Sequence, residues 1–187
     1  GAATSLGVDP LPLRAGVIFG AHDGETGLEP WFTDGTPGGT RQVADLCVEP
    51  PSDQFAAGSR AHLFRAFGDL AVFATRAGNC AAGLAVSDGS AEGTRFLSQG
   101  SGEVEDLLVA NGRIWALVRA SLGDELWISD GTTSGTNRVV SLSGSQGARA
   151  FSQKLTAAGR FVYFTVFRDD TGEELWRSDG TAAGTRM

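Results

Sequence analysis

The chain has 187 residues, enough to bury a substantial core without relying on metals or cross-links. Its 22 Asp and Glu against 15 Lys and Arg give a formal charge of -7, which argues against nucleic acid or an anionic membrane as partner and suits a cationic ligand or hard metal ion better. No stretch approaches the ~20 apolar residues of a membrane-spanning helix, so no membrane insertion is expected, and residues 1–10 carry neither a basic segment nor an apolar signal core, as in a mature form whose export signal has been removed.

Taken in chain order, the elements repeat. A first unit, about 11–46, runs from a short apolar stretch through GVIFGAH and the acidic turn HDGETG to EPWFTDGTPGGT and TRQVADL. A second, 61–99, reads HLFRAFG, DLAVFAT, RAGNCAAG, GLAVSDGSAEGT and TRFLSQ. The third, 105–143, reads EDLLVANG, RIWALV, ELWISDGTTSGT and TNRVVSL, and the fourth, 151–187, reads SQKLTAAG, RFVYFTVF, RDDTGEE and ELWRSDGTAAGT. The landmark glycines Gly16, Gly68, Gly112 and Gly159 precede Asp34, Asp88, Asp130 and Asp179 at nearly constant spacing, so each unit has a fixed layout and the length variation lies between units. Short runs rich in aromatic and β-branched residues, broken by Gly, Asp, Ser and Thr, predict four strands per unit and no helix.

The second strand is apolar on both faces. In the last unit Phe161, Tyr163 and Phe167 alternate with Val162, Phe164 and Val166, which requires cover on both sides. Radial stacking provides that, so the predicted fold is an all-β propeller of four four-stranded antiparallel blades in a single domain, 1–187. Residues 1–10 supply the closing strand of the last blade, Thr4 to Asp9 matching Thr40 to Asp45. Trp31, Trp127 and Trp176 share one position and read as packing residues between blades rather than sugar platforms. The S-D-G-T-x-x-G-T phrase around Asp34, Asp88, Asp130 and Asp179 reads as a chain-reversing turn rather than a phosphate or calcium loop.

ELWISDGTTSGT and ELWRSDGTAAGT resemble the ELWxxDGT repeat family of bacterial secreted and surface proteins, over nearly the whole chain. The resemblance implies bacterial export and a propeller-like fold, with no defined activity. The second unit departs from the pattern, with Gly83, Ala85 and Ser90 where the others have Glu, Trp and Thr, which leaves its packing open.

The only histidines, His22 and His62, fit no zinc spacing, and neither a GxSxG elbow nor a phosphate-cradling glycine loop occurs, so no catalytic residue and no enzyme activity are expected. The acidic turns carrying Asp23, Glu25, Asp169, Asp170 and Glu173 offer hard oxygen ligands, with calcium the one cofactor to consider and a solvated acidic loop the simpler reading. Cys47, in the connection after the first unit, and Cys80, between the second and third strands of the next, fall at the same end of adjacent blades and are expected to form a disulfide; two buried free thiols are the alternative. The expected function is a secreted or cell-surface, non-catalytic binding or adhesion module, monomeric or a self-associating ring. It would recognise a protein or glycan partner through loops on one propeller face. A structural spacer or self-assembly unit is the alternative, and a hydrolase a more distant one.

Overall fold

A computed structural model describes residues 10–48, 58–76, 80, 82–121, 123–143, 150–169 and 171–187. Among these no residue is helical, and the strands form four antiparallel sheets whose strand order follows the chain. The closing strand assigned to residues 1–10 lies, apart from Pro10, outside the described residues, as does Asp170. The chain falls into two compact units, divided after Gly100.

The first unit holds two blades. Blade one consists of β1 (Leu11–Leu13), β2 (Gly16–His22), β3 (Leu28–Thr33) and β4 (Arg41–Gln42), and blade two of β5 (His62–Phe67), β6 (Leu70–Thr75), β7 (Gly83–Ser87) and β8 (Arg95–Gln99). Blade one turns its Ile18 face, on which Ile18 pairs with Phe32, toward the blade-two face on which Phe73 pairs with Ala85. Arg41 fastens this junction: its guanidinium lies 4.9 Å from the Phe32 ring centre and donates to the Gly89 carbonyl at 2.7 Å. The packing left open by Ala85 is settled by Phe64, which is 4% exposed and stacks on Phe73 with ring centres 4.9 Å apart. Gly83 is a steric requirement, because a Cβ there would collide with the Ser98 carbonyl of the bulged β8 partner.

The second unit holds blade three, β9 (Glu103–Ala110), β10 (Arg113–Ala120), β11 (Gly123–Ser129) and β12 (Asn137–Ser141), and blade four, β13 (Ala150–Ala158), β14 (Phe161–Arg168) and β15 (Gly172–Ser178). Where the other blades have a fourth strand, blade four shows one bridge among the described residues, Arg177 with Arg186. Asn111 and Gly112, at φ 54° and 68°, make the tight β9–β10 turn that the Asn-Gly pair specifies. Gly16 differs from the other landmark glycines: it opens β2, where a Cβ would meet the Thr33 carbonyl and the Phe32 ring.

The core between blades three and four joins Trp115, Leu117 and Leu126 to Leu155, Phe164 and Trp176. Bulges aim the first strands into these cores. Leu63 and Lys154, at φ 56° and 31°, immediately precede the core residues Phe64 and Leu155. The Leu155 amide, displaced from the ladder, donates to Asp106 Oδ2 at 2.7 Å. One expectation needs correction. β14 was to be covered on both faces, but only Val162, Phe164 and Val166 are buried, while Phe167 on the other face is 43% exposed. The physical reason lies in the packing: blade four meets blade three by its Phe164 and Trp176 face, and among the described residues of this unit no strand covers the other face.

Candidate functional site

One end of every blade carries the same turn. Asp34 Oδ1 accepts the Thr36 amide at 2.9 Å and the Thr36 hydroxyl at 2.7 Å, and Thr36 Oγ1 in turn accepts the Gly39 amide at 3.0 Å. Thr40 donates to the Thr36 carbonyl at 2.8 Å, and its hydroxyl lies 2.7 Å from that of Thr33. Asp88, Asp130 and Asp179 repeat the pattern with Ser90, Thr132 and Thr181. In all four the hydroxyl and then the backbone N–H hold the carboxyl below the usual aspartate value. The second glycine of the phrase is steric: a Cβ at Gly39, Gly93, Gly135 or Gly184 would overlap the Asp carboxylate of its own turn. These carboxylates are engaged locally, and the turns reverse the chain.

Antiparallel topology puts the β2–β3 type connections at the opposite end of each blade, and there the chain is variable. The connections run from His22 to Leu28, Thr75 to Gly83, Ala120 to Gly123 and Arg168 to Gly172. In the first, Asp23 Oδ1 accepts the amides of Glu25 and Thr26, both at 2.8 Å, and His22 Nδ1 accepts the Gly24 amide at 2.8 Å. Burial works to raise the Asp23 carboxyl, but the hydrogen bonds from Thr26 and Glu25 outweigh it and leave it below the ordinary value. Glu25 and Asp169 are exposed. Glu173 is a strand residue of β15, paired with Phe167, rather than part of the acidic turn. Asp23 and Glu25 therefore belong to the first unit and Asp169 and Glu173 to the second, and among the described residues no three His, Cys, Asp or Glu side chains gather at one point.

The variable end of the first unit is braced. Cys47 and Cys80 form the expected disulfide, with Cα atoms 5.5 Å apart, tying the connection between blades to the β6–β7 connection. Beside it stands Glu29, fully buried, whose carboxylate accepts the Ser59 amide at 2.7 Å, the Ser59 hydroxyl at 2.6 Å and the Leu46 amide at 3.2 Å. Burial pushes the Glu29 carboxyl up to about 7, against the pull of those hydrogen bonds. Glu29 thus clips both ends of the stretch between blades one and two.

Sequence reasoning treated this Glu as a repeat letter, yet its equivalents have other settings. Glu125 accepts the Trp127 Nε1–H at 2.9 Å and pairs with Arg138 at 2.7 Å, while a sealed oxygen of Glu174 has no hydrogen-bond partner among the described residues. The signal that could have singled out Glu29 is Pro30, the departure from Leu in that copy of the phrase. Of the repeated tryptophans, Trp176 lies in the core between blades three and four with Arg168 4.8 Å above its ring. Trp31 and Trp127 lie half-buried on the faces of blades one and three that turn away from those cores.

No protein-family model and no curated protein matches the sequence. Among solved structures, the chain is similar to a Pyrococcus horikoshii acylaminoacyl peptidase, with 11% identity and a TM-score of 0.56 over 96% of this chain. It spans 26% of that protein, so the likeness is one of fold to part of a longer chain. The tricorn protease is also similar, with 12% identity and a TM-score of 0.46, over 92% of this chain and 17% of its own. The expectation that there is no enzyme activity is corrected by the first likeness: a fold of this kind stands inside a peptidase chain. The physical reason is that a search for local motifs reads only the side chains of one segment, whereas an enzyme assembles its site from all the segments that meet there.

Proposed function

We propose that this chain is a binding or adhesion module of a secreted or cell-surface bacterial protein of the ELWxxDGT repeat family. It takes a protein or glycan partner on the blade ends that carry the variable connections. The observation that supports this most is the contrast between the two ends: four turns with one hydrogen-bond pattern, and four connections that differ in length and composition. Recognition belongs on variable loops held by a rigid frame. In the first unit the disulfide and the Glu29 clip provide that frame, and Asp23 fixes the shape of the loop that displays Glu25. A disulfide also fits an oxidising compartment.

The test is a glycan array together with a pull-down from a bacterial surface fraction, using the intact chain and the double variant Asp23→Lys/Glu25→Lys. Partner capture that the double variant loses, while its melting temperature holds, supports the reading. Capture that survives both charge reversals, or that follows changes in the uniform turns instead, overturns it.

A further inference from the structure

The junction inside each unit is built to one plan and filled differently. In both, the Asp-Gly turn of the following blade rests on the leading blade: a Cβ on Gly89 would meet the Phe32 ring, and one on Gly180 the Ile128 side chain. Ile18 pairs with Phe32 in blade one as Trp115 pairs with Ile128 in blade three, and Arg41 and Asn137 stand at the same place, directly after Thr40 and Thr136. In the first unit the Arg41 side chain fills the gap, over the Phe32 ring and against the Gly89 carbonyl. In the second, Asn137 is too short to do so and donates to the Ser134 carbonyl of its own turn at 3.3 Å. The space that Arg41 takes in one junction is therefore a cleft of about 500 Å³ in the other, floored by Trp115 and Ile128 and edged by Asn137 and Gly180.

The flanks change in charge as well. Where blade two has Asp69 in the turn after its first strand, blade four has Arg160, and where blade one has Gly16, blade three has Arg113; both arginines line the cleft. Arg160 is held by the Phe161 ring, 4.7 Å from its guanidinium, and Arg113 stands 3.9 Å from Asp130, too long for a hydrogen bond. Both are thus placed at the cleft with N–H donors to offer. Asp179, which also lines it, is engaged by Thr181 of its own turn. Guanidinium forks match a carboxylate, while the Asn137 amide and the Gly180 carbonyl suit hydroxyl groups of the same molecule. We propose that the cleft between blades three and four binds a carboxylate-bearing sugar, with its carboxylate on Arg113 and Arg160 and its hydroxyls on Asn137 and the Gly180 carbonyl. The volume is that of a small-ligand pocket and holds a sugar ring. In a chain of formal charge -7 the overall field draws no anion in, so recognition rests on this pair of arginines. The cleft lies at the end of the uniform turns, away from the variable connections, so its failure leaves the proposed partner binding untouched.

The experiment titrates D-galacturonate into the full chain by NMR, with D-galactose and acetate as the comparison ligands. Galacturonate should shift the Trp115 indole and Asn137 side-chain signals saturably, and galactose and acetate should each bind about tenfold or more weakly. Arg113→Ala/Arg160→Ala should weaken galacturonate binding by about tenfold or more. Asn137→Arg, which restores the filling of the first junction, should abolish it. All three positions are exposed, so the melting temperature should hold in both variants. Asp23→Lys/Glu25→Lys should bind galacturonate as the wild type does, which separates this site from the proposed partner surface. No saturable binding, acetate or galactose bound as tightly as galacturonate, binding that survives either cleft variant, or binding lost in Asp23→Lys/Glu25→Lys overturns the proposal.

Discussion

At Gly135 there is room for a hydrogen and nothing larger, because the Asp130 carboxylate occupies the space a Cβ would take. Gly135→Ala should therefore cost about 1–3 kcal/mol in urea unfolding, the usual size of a forced clash. Gly38→Ala, with nothing near its Cβ, should stay within about 0.5 kcal/mol. Glu29 and the turn aspartates respond to pH with opposite sign. A carboxyl lowered in the folded state, like that of Asp130, stabilises above its unfolded value and loses that contribution as pH falls through the folded one. Glu29 is raised from 4.5 to about 7, so the folded state holds its proton more tightly. Its contribution is complete below the unfolded value and is lost as pH rises through about 7. Melting temperature measured against pH should fall on both sides, and Glu29→Gln should flatten the limb between pH 4.5 and 7 while leaving the acid limb in place. An alkaline limb unchanged in that variant would assign the slope to another group.

Blade two shows how an element keeps its packing after losing a motif residue. Phe64 stands at the position that Leu155 fills in blade four, and its larger ring takes up the space that Ala85 leaves where blade four has Trp176. Phe64→Ala should cost about 3–5 kcal/mol, read from the urea midpoint at constant slope. The double variant Phe64→Leu/Ala85→Trp, which restores the blade-four pair, should cost less than the sum of its single changes, because each alone leaves the shared volume under- or over-filled. Additive costs would show that the two sites do not share that volume.

For the whole molecule, the disulfide closes a separation of 33 residues and spans the connection that Glu29 also clips. By chain entropy its removal should cost roughly 3–4 kcal/mol, visible as a lower urea midpoint under reducing conditions. The unfolded, unreduced protein should titrate with no free thiol. Since the bond and the clip hold the same segment, Glu29→Gln should be more damaging in the reduced protein than in the oxidised one. Equal damage in both states would mean the two fastenings act on independent segments.

The sequence by itself determined what repeats: four antiparallel sheets, their turns and the absence of helix among the described residues follow from local patterns that each unit states again, with spacing fixed by the S-D-G-T-x-x-G-T phrase. It also placed Cys47 and Cys80 together, because blade topology puts their connections at one end. Only the tertiary structure decided what a single motif letter does. Glu29 is a buried clip, Glu125 partners Arg138, and Glu174 has one sealed oxygen without a partner among the described residues, because the groups that surround each one differ. The pairing of Phe64 with Ala85 and the exposure of Phe167 were hidden for the same reason: periodicity says which face of a strand a residue occupies, and only packing says what covers that face.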